Sequence, residues 1–106
     1  MIVNTTFMFS RGKAAAFVGW LRREGISALE GRHGASEPSL TRVAAVPGMP
    51  DFESQGASYA LQFKFRDMES ALAWIDDTLP EAVASLKTRL GEEVMTLSTV
   101  LESVQL

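Results

Sequence analysis

A chain of 106 residues, 46% of them hydrophobic, is the length of one ordinary domain and can build a real core. Ten basic against thirteen acidic side chains leave a net charge of −3, which argues against a general nucleic-acid binder with Lys and Arg clustered on one face. No cysteine is present, so disulfides, thiolate metal sites and thiol nucleophiles are excluded.

The opening residues, Met1 to Thr6, lack the basic and apolar regions of a secretory signal. No apolar run approaches the roughly 20 residues that span a bilayer. The expectation is a cytoplasmic protein forming one domain over residues 1–106.

Ile2 to Phe9 is rich in β-branched and aromatic residues and reads as a first strand. Ser10 is placed to N-cap the next segment. Ala14, Phe17, Val18 and Leu21 then recur at helical spacing, with Trp20 widening the stripe. Gly25 predicts a bend or break, since glycine weakens a helix by about 1 kcal/mol relative to alanine. Gly31 suits a C-terminal cap, and Gly31 to Pro38 reads as a loop.

Leu40 to Val46 reads as a second strand, followed by a long hairpin connection from Pro47 to Gly56. Ser58 to Phe65 alternates cleanly: Tyr59, Leu61, Phe63 and Phe65 share one parity, Ser58, Ala60, Gln62 and Lys64 the other. Asp67 is placed as an N-cap, and Met68, Leu72, Ile75 and Leu79 mark a buried helical stripe. Pro80 predicts a break at Leu79, with Glu81 restarting a helix through Val83, Leu86 and Leu90 to Gly91. Val94 to Val104 reads as a last strand of mixed alternation.

The order β-α-β-β-α-β predicts an α+β, ferredoxin-like sandwich: a four-stranded antiparallel sheet with two helices on one face. The aromatic row of the third strand belongs under the helices, where each buried side chain contributes roughly 1.5–3 kcal/mol. The opposite face then carries Asn4 and Thr6 from strand one, and Ser58, Ala60, Gln62 and Lys64 from strand three. Thr96, Ser98, Val100 and Glu102 are assigned to it from strand four, and Arg42 from strand two. In this topology such a face commonly packs against its twin, so a homodimeric α+β barrel around a small cavity is expected. Lys64 must then reach water, a carboxylate or a ligand, because burying it unpaired costs several kcal/mol.

Several short stretches carry a resemblance: Ile2-Val3-Asn4-Thr5-Thr6-Phe7, Ser36-Glu37-Pro38, Ser58-Tyr59-Ala60-Leu61-Gln62, Leu90-Gly91 and Thr99-Val100-Leu101-Glu102. Together they resemble a bacterial domain-of-unknown-function family of short proteins, over nearly the whole chain. The resemblance implies the fold of the dimeric α+β barrels and lends no activity. Ser39 stands where the resemblance leads us to expect an arginine, which leaves Arg42 the only cation on strand two.

Dimeric α+β barrels include cofactor-independent monooxygenases and haem-degrading enzymes. The latter use an Asn on the first strand, a Trp near the second helix and an iron-ligating His on that helix. Asn4 and Trp74 match the first two, but the only histidine is His33, in the loop after helix one. Without an axial ligand haem is not expected, and Trp74 reads as a partly buried helix aromatic. His33 reads as a surface residue with no carboxylate predicted beside it, and Asp76-Asp77 and Glu92-Glu93 as solvated charge. An RNA-recognition module would need stacking aromatics on the open face, the reverse of the parity of Tyr59 and Phe63.

The leading expectation is a homodimer, joined through the open sheet face, that binds a small anionic molecule or scaffolds an assembly. Asn4, Thr6, Arg42, Gln62 and Lys64 are the candidate ligand-binding residues. No catalytic residue, metal or cofactor is assigned, and neither nucleic acid nor membrane is an expected partner. The alternative is a cofactor-independent monooxygenase or isomerase of the barrel type.

Overall fold

The computed structural model describes residues 1–48 and 56–106; most of the expected Pro47–Gly56 connection, residues 49–55, lies outside them. Four strands, β1 (Ile2–Phe9), β2 (Ser36–Arg42), β3 (Ala57–Lys64) and β4 (Met95–Leu101), form one sheet in the order β2-β3-β1-β4. All three neighbouring pairs are antiparallel. Helix α1 runs through Ala14–Trp20, Leu21–Gly25 and Ile26–Leu29, and helix α2 through Met68–Ala73, Trp74–Thr78 and Leu79–Leu90. This is the expected α+β sandwich. Its extents of 38 × 37 × 19 Å are those of a thin plate, one layer of helix on one layer of sheet.

Strict alternation fixes β1: Val3, Thr5, Phe7 and Phe9 are buried, while Ile2, Asn4, Thr6 and Met8 are half-buried on the other side. In β3, Leu61 and Phe63 are buried and Phe65 follows them, with Gln62 and Lys64 turned outward. The apolar ridge is under the helices, as its spacing requires. Trp74 stands 5.5 Å from both Phe63 and Phe65, ring centre to ring centre. Its indole N–H donates to the Leu29 carbonyl at 2.9 Å, tying α2 to the end of α1 and satisfying a buried donor.

Both helices contain one wide, π-type turn, Leu21–Gly25 in α1 and Trp74–Thr78 in α2. The second explains why the expected break at Leu79 does not occur. Proline removes one helical hydrogen bond and crowds the carbonyl four residues back. Here the ladder has already opened in the turn before Pro80, and α2 continues to Leu90. Asp67 caps α2 as expected, accepting from the Ser70 N–H at 2.8 Å. Ser10 does not cap with its hydroxyl; its carbonyl accepts the Lys13 N–H at 2.9 Å.

Three expectations about the outer strands are corrected. β2 begins at Ser36 rather than Leu40. A bulge between Ser36 and Ser39, with Glu37 at φ 52°, lets Pro38 sit in an edge strand. Arg42 lies opposite Tyr59 and therefore shares the helix-side parity, away from the open face to which we assigned it. In β4 the parity is reversed. Ser98 and Thr96 stand opposite buried Thr5 and Phe7, so Met95, Leu97, Thr99 and Leu101 occupy the open face.

Gly25 is buried in the π-turn of α1. A Cβ there would meet Trp20 Cζ3 at 2.7 Å and Leu21 Cδ1 at 2.9 Å. Gly25→Ala gains about 1 kcal/mol of helix propensity but overpacks a fixed core indole at roughly 1–3 kcal/mol. The expected outcome is a net loss of about 1 kcal/mol in urea unfolding. A stabilised variant would mean that Trp20 is free to move.

Candidate functional site

The open sheet face is a grid of side chains set by register. One row crosses all four strands as Ser39, Gln62, Asn4 and Thr99; the next reads Thr41, Ala60, Thr6 and Leu97. Outside them lie Ser36, Lys64, Ile2 and Leu101 on one side, and Ser58, Met8 and Met95 on the other. The face grades from polar at β2 to apolar at β4. Met95, Leu97 and Leu101 are 66%, 64% and 42% exposed.

Four of the five candidate residues lie on this face, and three of them are joined. Gln62 Nε2 donates to Asn4 Oδ1 at 3.1 Å, and Asn4 Nδ2 donates to Thr6 Oγ1 at 3.4 Å. Each amide uses only part of its capacity within this line, so the row can still offer N–H donors and the Gln62 carbonyl to a partner. Lys64 lies at the rim, its ammonium 3.2 Å from Glu37 Oε2. The bulge that holds Glu37 in a left-handed conformation sits beside Lys64 in the register. Both ends are well exposed, so this pair contributes little to stability. Arg42, on the other parity, is not brought to the row.

Sequence reasoning missed the apolar column of β4. Apolar residues occur at both parities between Val94 and Val104, so alternation alone does not orient the strand. Hydrogen bonding to Thr5 narrows the choice to the adjacent hydroxyls Ser98 and Thr99, and the structure selects Ser98. Thr5 is fully buried, and its hydroxyl lies 2.9 Å from the Ser98 hydroxyl, which fixes Ser98 inward.

Two further readings are revised. His33 is not without a carboxylate: its Nε2 lies 2.9 Å from both oxygens of Asp77, with His33 itself at φ 51°. Asp77 also accepts from the Thr78 hydroxyl at 2.7 Å. The Thr78 bond first, and His33 second, hold the Asp77 carboxyl below its ordinary value. The pair staples the loop after α1 onto α2, and neither residue reaches the open face. Trp74, expected as a partly buried helix aromatic, is on the helix but fully buried in the core.

Architecture and register place the molecule among ferredoxin-like α+β proteins. Residues 1–104 match the family described as Domain of unknown function (DUF4286), and the chain belongs to that family. No curated protein matches the sequence. Among solved structures, an ethyl tert-butyl ether D family protein from Bacillus halodurans aligns with TM-score 0.64 and 15% identity, over 96% of this chain and 100% of the other. A candidate antibiotic biosynthesis monooxygenase from Deinococcus radiodurans aligns at 0.58 and 11%, over 100% and 98%. A dimeric ferredoxin-like protein from an uncultured marine organism aligns at 0.56 and 12%, over 97% of each chain. At these identities the likeness establishes the fold.

The lowered Asp77 carboxyl gives a pH prediction. A folded-state value below the unfolded one adds stability that is complete above the ordinary carboxylate range. It is lost as pH falls through the depressed value. Urea unfolding across that acid range should show a shallower loss of stability in Asp77→Asn than in the parent. Parallel curves would remove Asp77 from acid sensitivity.

Proposed function

We propose that this protein acts as a homodimer joined through its open sheet face, and that the seam holds a small polar molecule on the Gln62–Asn4–Thr6 row. The carrying observation is the outward column of Met95, Leu97 and Leu101, flanked by Ile2 and Met8, on a face whose central row is hydrogen-bonding and whose lysine is ion-paired. Fully burying each such side chain contributes roughly 1.5–3 kcal/mol. A second copy is the occupant that fits. With Lys64 neutralised by Glu37, the face carries little net charge, and two copies meet without like-charge repulsion.

The area agrees. Four strands about 4.8 Å apart and roughly eight residues long at 3.4 Å give about 500 Å² of face per copy, hence about 1,000 Å² for a pair. That is the low end for a specific interface. Sealing the row under a twin would leave amide groups short of partners at roughly 1–3 kcal/mol each. A polar ligand, or water, supplies them. An anionic ligand would have to displace Glu37 from Lys64, so hydrogen-bonding capacity selects the ligand before charge does. The working unit is a single domain over residues 1–106, in the cytoplasm, with no role in nucleic-acid or membrane binding.

A cofactor-independent oxygenase or isomerase is the second reading, favoured by the Deinococcus radiodurans relative in fold. An oxygen electrode run over electron-rich phenols checks the oxygenase form; uptake no greater than buffer ends it.

Sedimentation equilibrium tests the dimer. The parent is expected at twice 11.6 kDa, and Leu97→Glu at 11.6 kDa with unchanged circular dichroism. A parent that stays monomeric at tens of micromolar overturns the proposal. For the ligand, small amides and carboxylates should raise the melting temperature of the parent, and carboxylates should do so less in Lys64→Ala. Equal shifts in both proteins would retire Lys64 as a contact.

A further inference from the structure

On the opposite side of the sheet, a groove of about 560 Å³ opens between α2 and β4. Ile75, Leu79, Val83 and Lys87 line it at intervals of four, so they form one continuous ridge along α2. From Ile75 to Lys87 this ridge runs about 18 Å at the helical rise. Thr96 and Ser98 of β4 make the facing wall. The groove exists because β4 presents small hydroxyl residues to the helix side where β1 and β3 present Phe and Leu. Too little apolar bulk projects from β4 to fill the space beneath α2.

The ends of the groove differ in chemistry. One end begins in the π-turn Trp74–Thr78, with Ile75. The other ends at Lys87, the one half-buried lysine of the three in the chain. Lys64 is paired with Glu37, whereas Lys87 has no ion pair among the described residues. Its aliphatic stem extends the apolar ridge and delivers an ammonium at the ridge's end. Behind the facing wall, the Ser98 hydroxyl is engaged with buried Thr5, so that part of the wall is polar but already hydrogen-bonded, while Thr96 is exposed to water. It makes little demand on an apolar guest.

An apolar trough about 18 Å long, capped by one cation that has no carboxylate partner among the described residues, is complementary to a single ligand class. The geometry points to a binding site for a medium-chain alkyl carboxylate, its chain laid along Ile75, Leu79 and Val83 and its carboxylate on Lys87. The site is separate from the open face and would be loaded independently of the dimer seam.

Decanoate, with decanol as its neutral counterpart, tests this on the full chain by amide-resolved NMR titration below micelle concentrations. Decanoate should give saturable shifts centred on residues 75–87 and 96–98. Lys87→Ala should weaken decanoate about five- to tenfold, equivalent to roughly 1–1.4 kcal/mol, and leave decanol unchanged. Lys87→Arg should retain binding. Ala84→Trp, which fills the groove from an exposed position, should abolish binding of both probes. Leu97→Glu should bind decanoate as the parent does, even where it dissociates the dimer. Absence of saturable shifts, shifts centred on the open face, or equal weakening of both probes by Lys87→Ala would each overturn the assignment.

Discussion

The hydrogen bond between Thr5 and Ser98 ties β4 to the centre of the sheet with Ser98 facing the helices. Thr5 is the one polar residue among the inward positions of β1, and it is fully buried. An unsatisfied hydroxyl there would cost roughly 1–3 kcal/mol. Ser98 supplies the partner at 2.9 Å, and in doing so turns inward with Thr96 and Val100. Because side chains alternate with period two, that choice sends Met95, Leu97 and Leu101 to the other side as a set. Slipping β4 by one residue would hide the apolar column beneath the helices, setting either Leu97, which orphans the Thr5 hydroxyl, or Thr99, which brings a second branched side chain, in the place of Ser98. The apolar column on the open face and the hollow beneath α2 are thus two consequences of one pairing.

The helical layer is anchored mainly over β1 and β3. Phe7 and Phe17 meet at 5.1 Å, and Trp74 lies on the Phe63–Phe65 ridge. The two indoles also cross-link the helices, Trp74 to the Leu29 carbonyl and Trp20 to the Ser85 hydroxyl at 3.3 Å. Each lies at the edge of a π-type turn, Trp20 immediately before one and Trp74 as the first residue of the other. The extra residue in such a turn lets a large ring enter the layer without breaking the helix. Gly25 shows how tight the fit is, since even one methyl there would strike the Trp20 ring.

Sequence pattern revealed the centre of the sheet and lost its edges, for a physical reason. β1 and β3 are covered by helices on one side only, so hydrophobic alternation reports their parity directly. Asn4, Thr6, Gln62 and Lys64 are therefore assignable to the open face from spacing alone. β2 is an edge strand, exposed at every residue, with a bulge at Glu37 that spacing cannot foresee, and Arg42 is misplaced for that reason. In β4 the apolar residues are themselves exposed, so the rule that apolar side chains face the core points the wrong way. Thr5 needs a hydroxyl partner, but Ser98 and Thr99 both carry one at opposite parities, and it is the register that selects Ser98. The His33–Asp77 contact, made across 44 positions, leaves no local trace in sequence.

The gradient across the open face also constrains how two copies would meet in the proposed homodimer. Face-to-face sheets related by a two-fold axis along the strands would lay β4 of one copy over β2 of the other. That sets Leu97 against Ser39 and Thr41, apolar against polar. An axis perpendicular to the strands instead lays each strand over its own counterpart with the row order reversed. Leu101 then faces Met95, Ile2 faces Met8, and Asn4 faces Thr6, so that of the apolar column Leu97 alone lies over a polar residue, Thr99. Lys64 comes over Ser58 rather than over a second Lys64. This arrangement satisfies the self-complementarity that an isologous interface demands, allowing for a sheet crossing angle of about 30°. It also gathers two Gln62–Asn4–Thr6 lines at the centre of the seam, where only polar occupants can answer their remaining hydrogen-bonding groups.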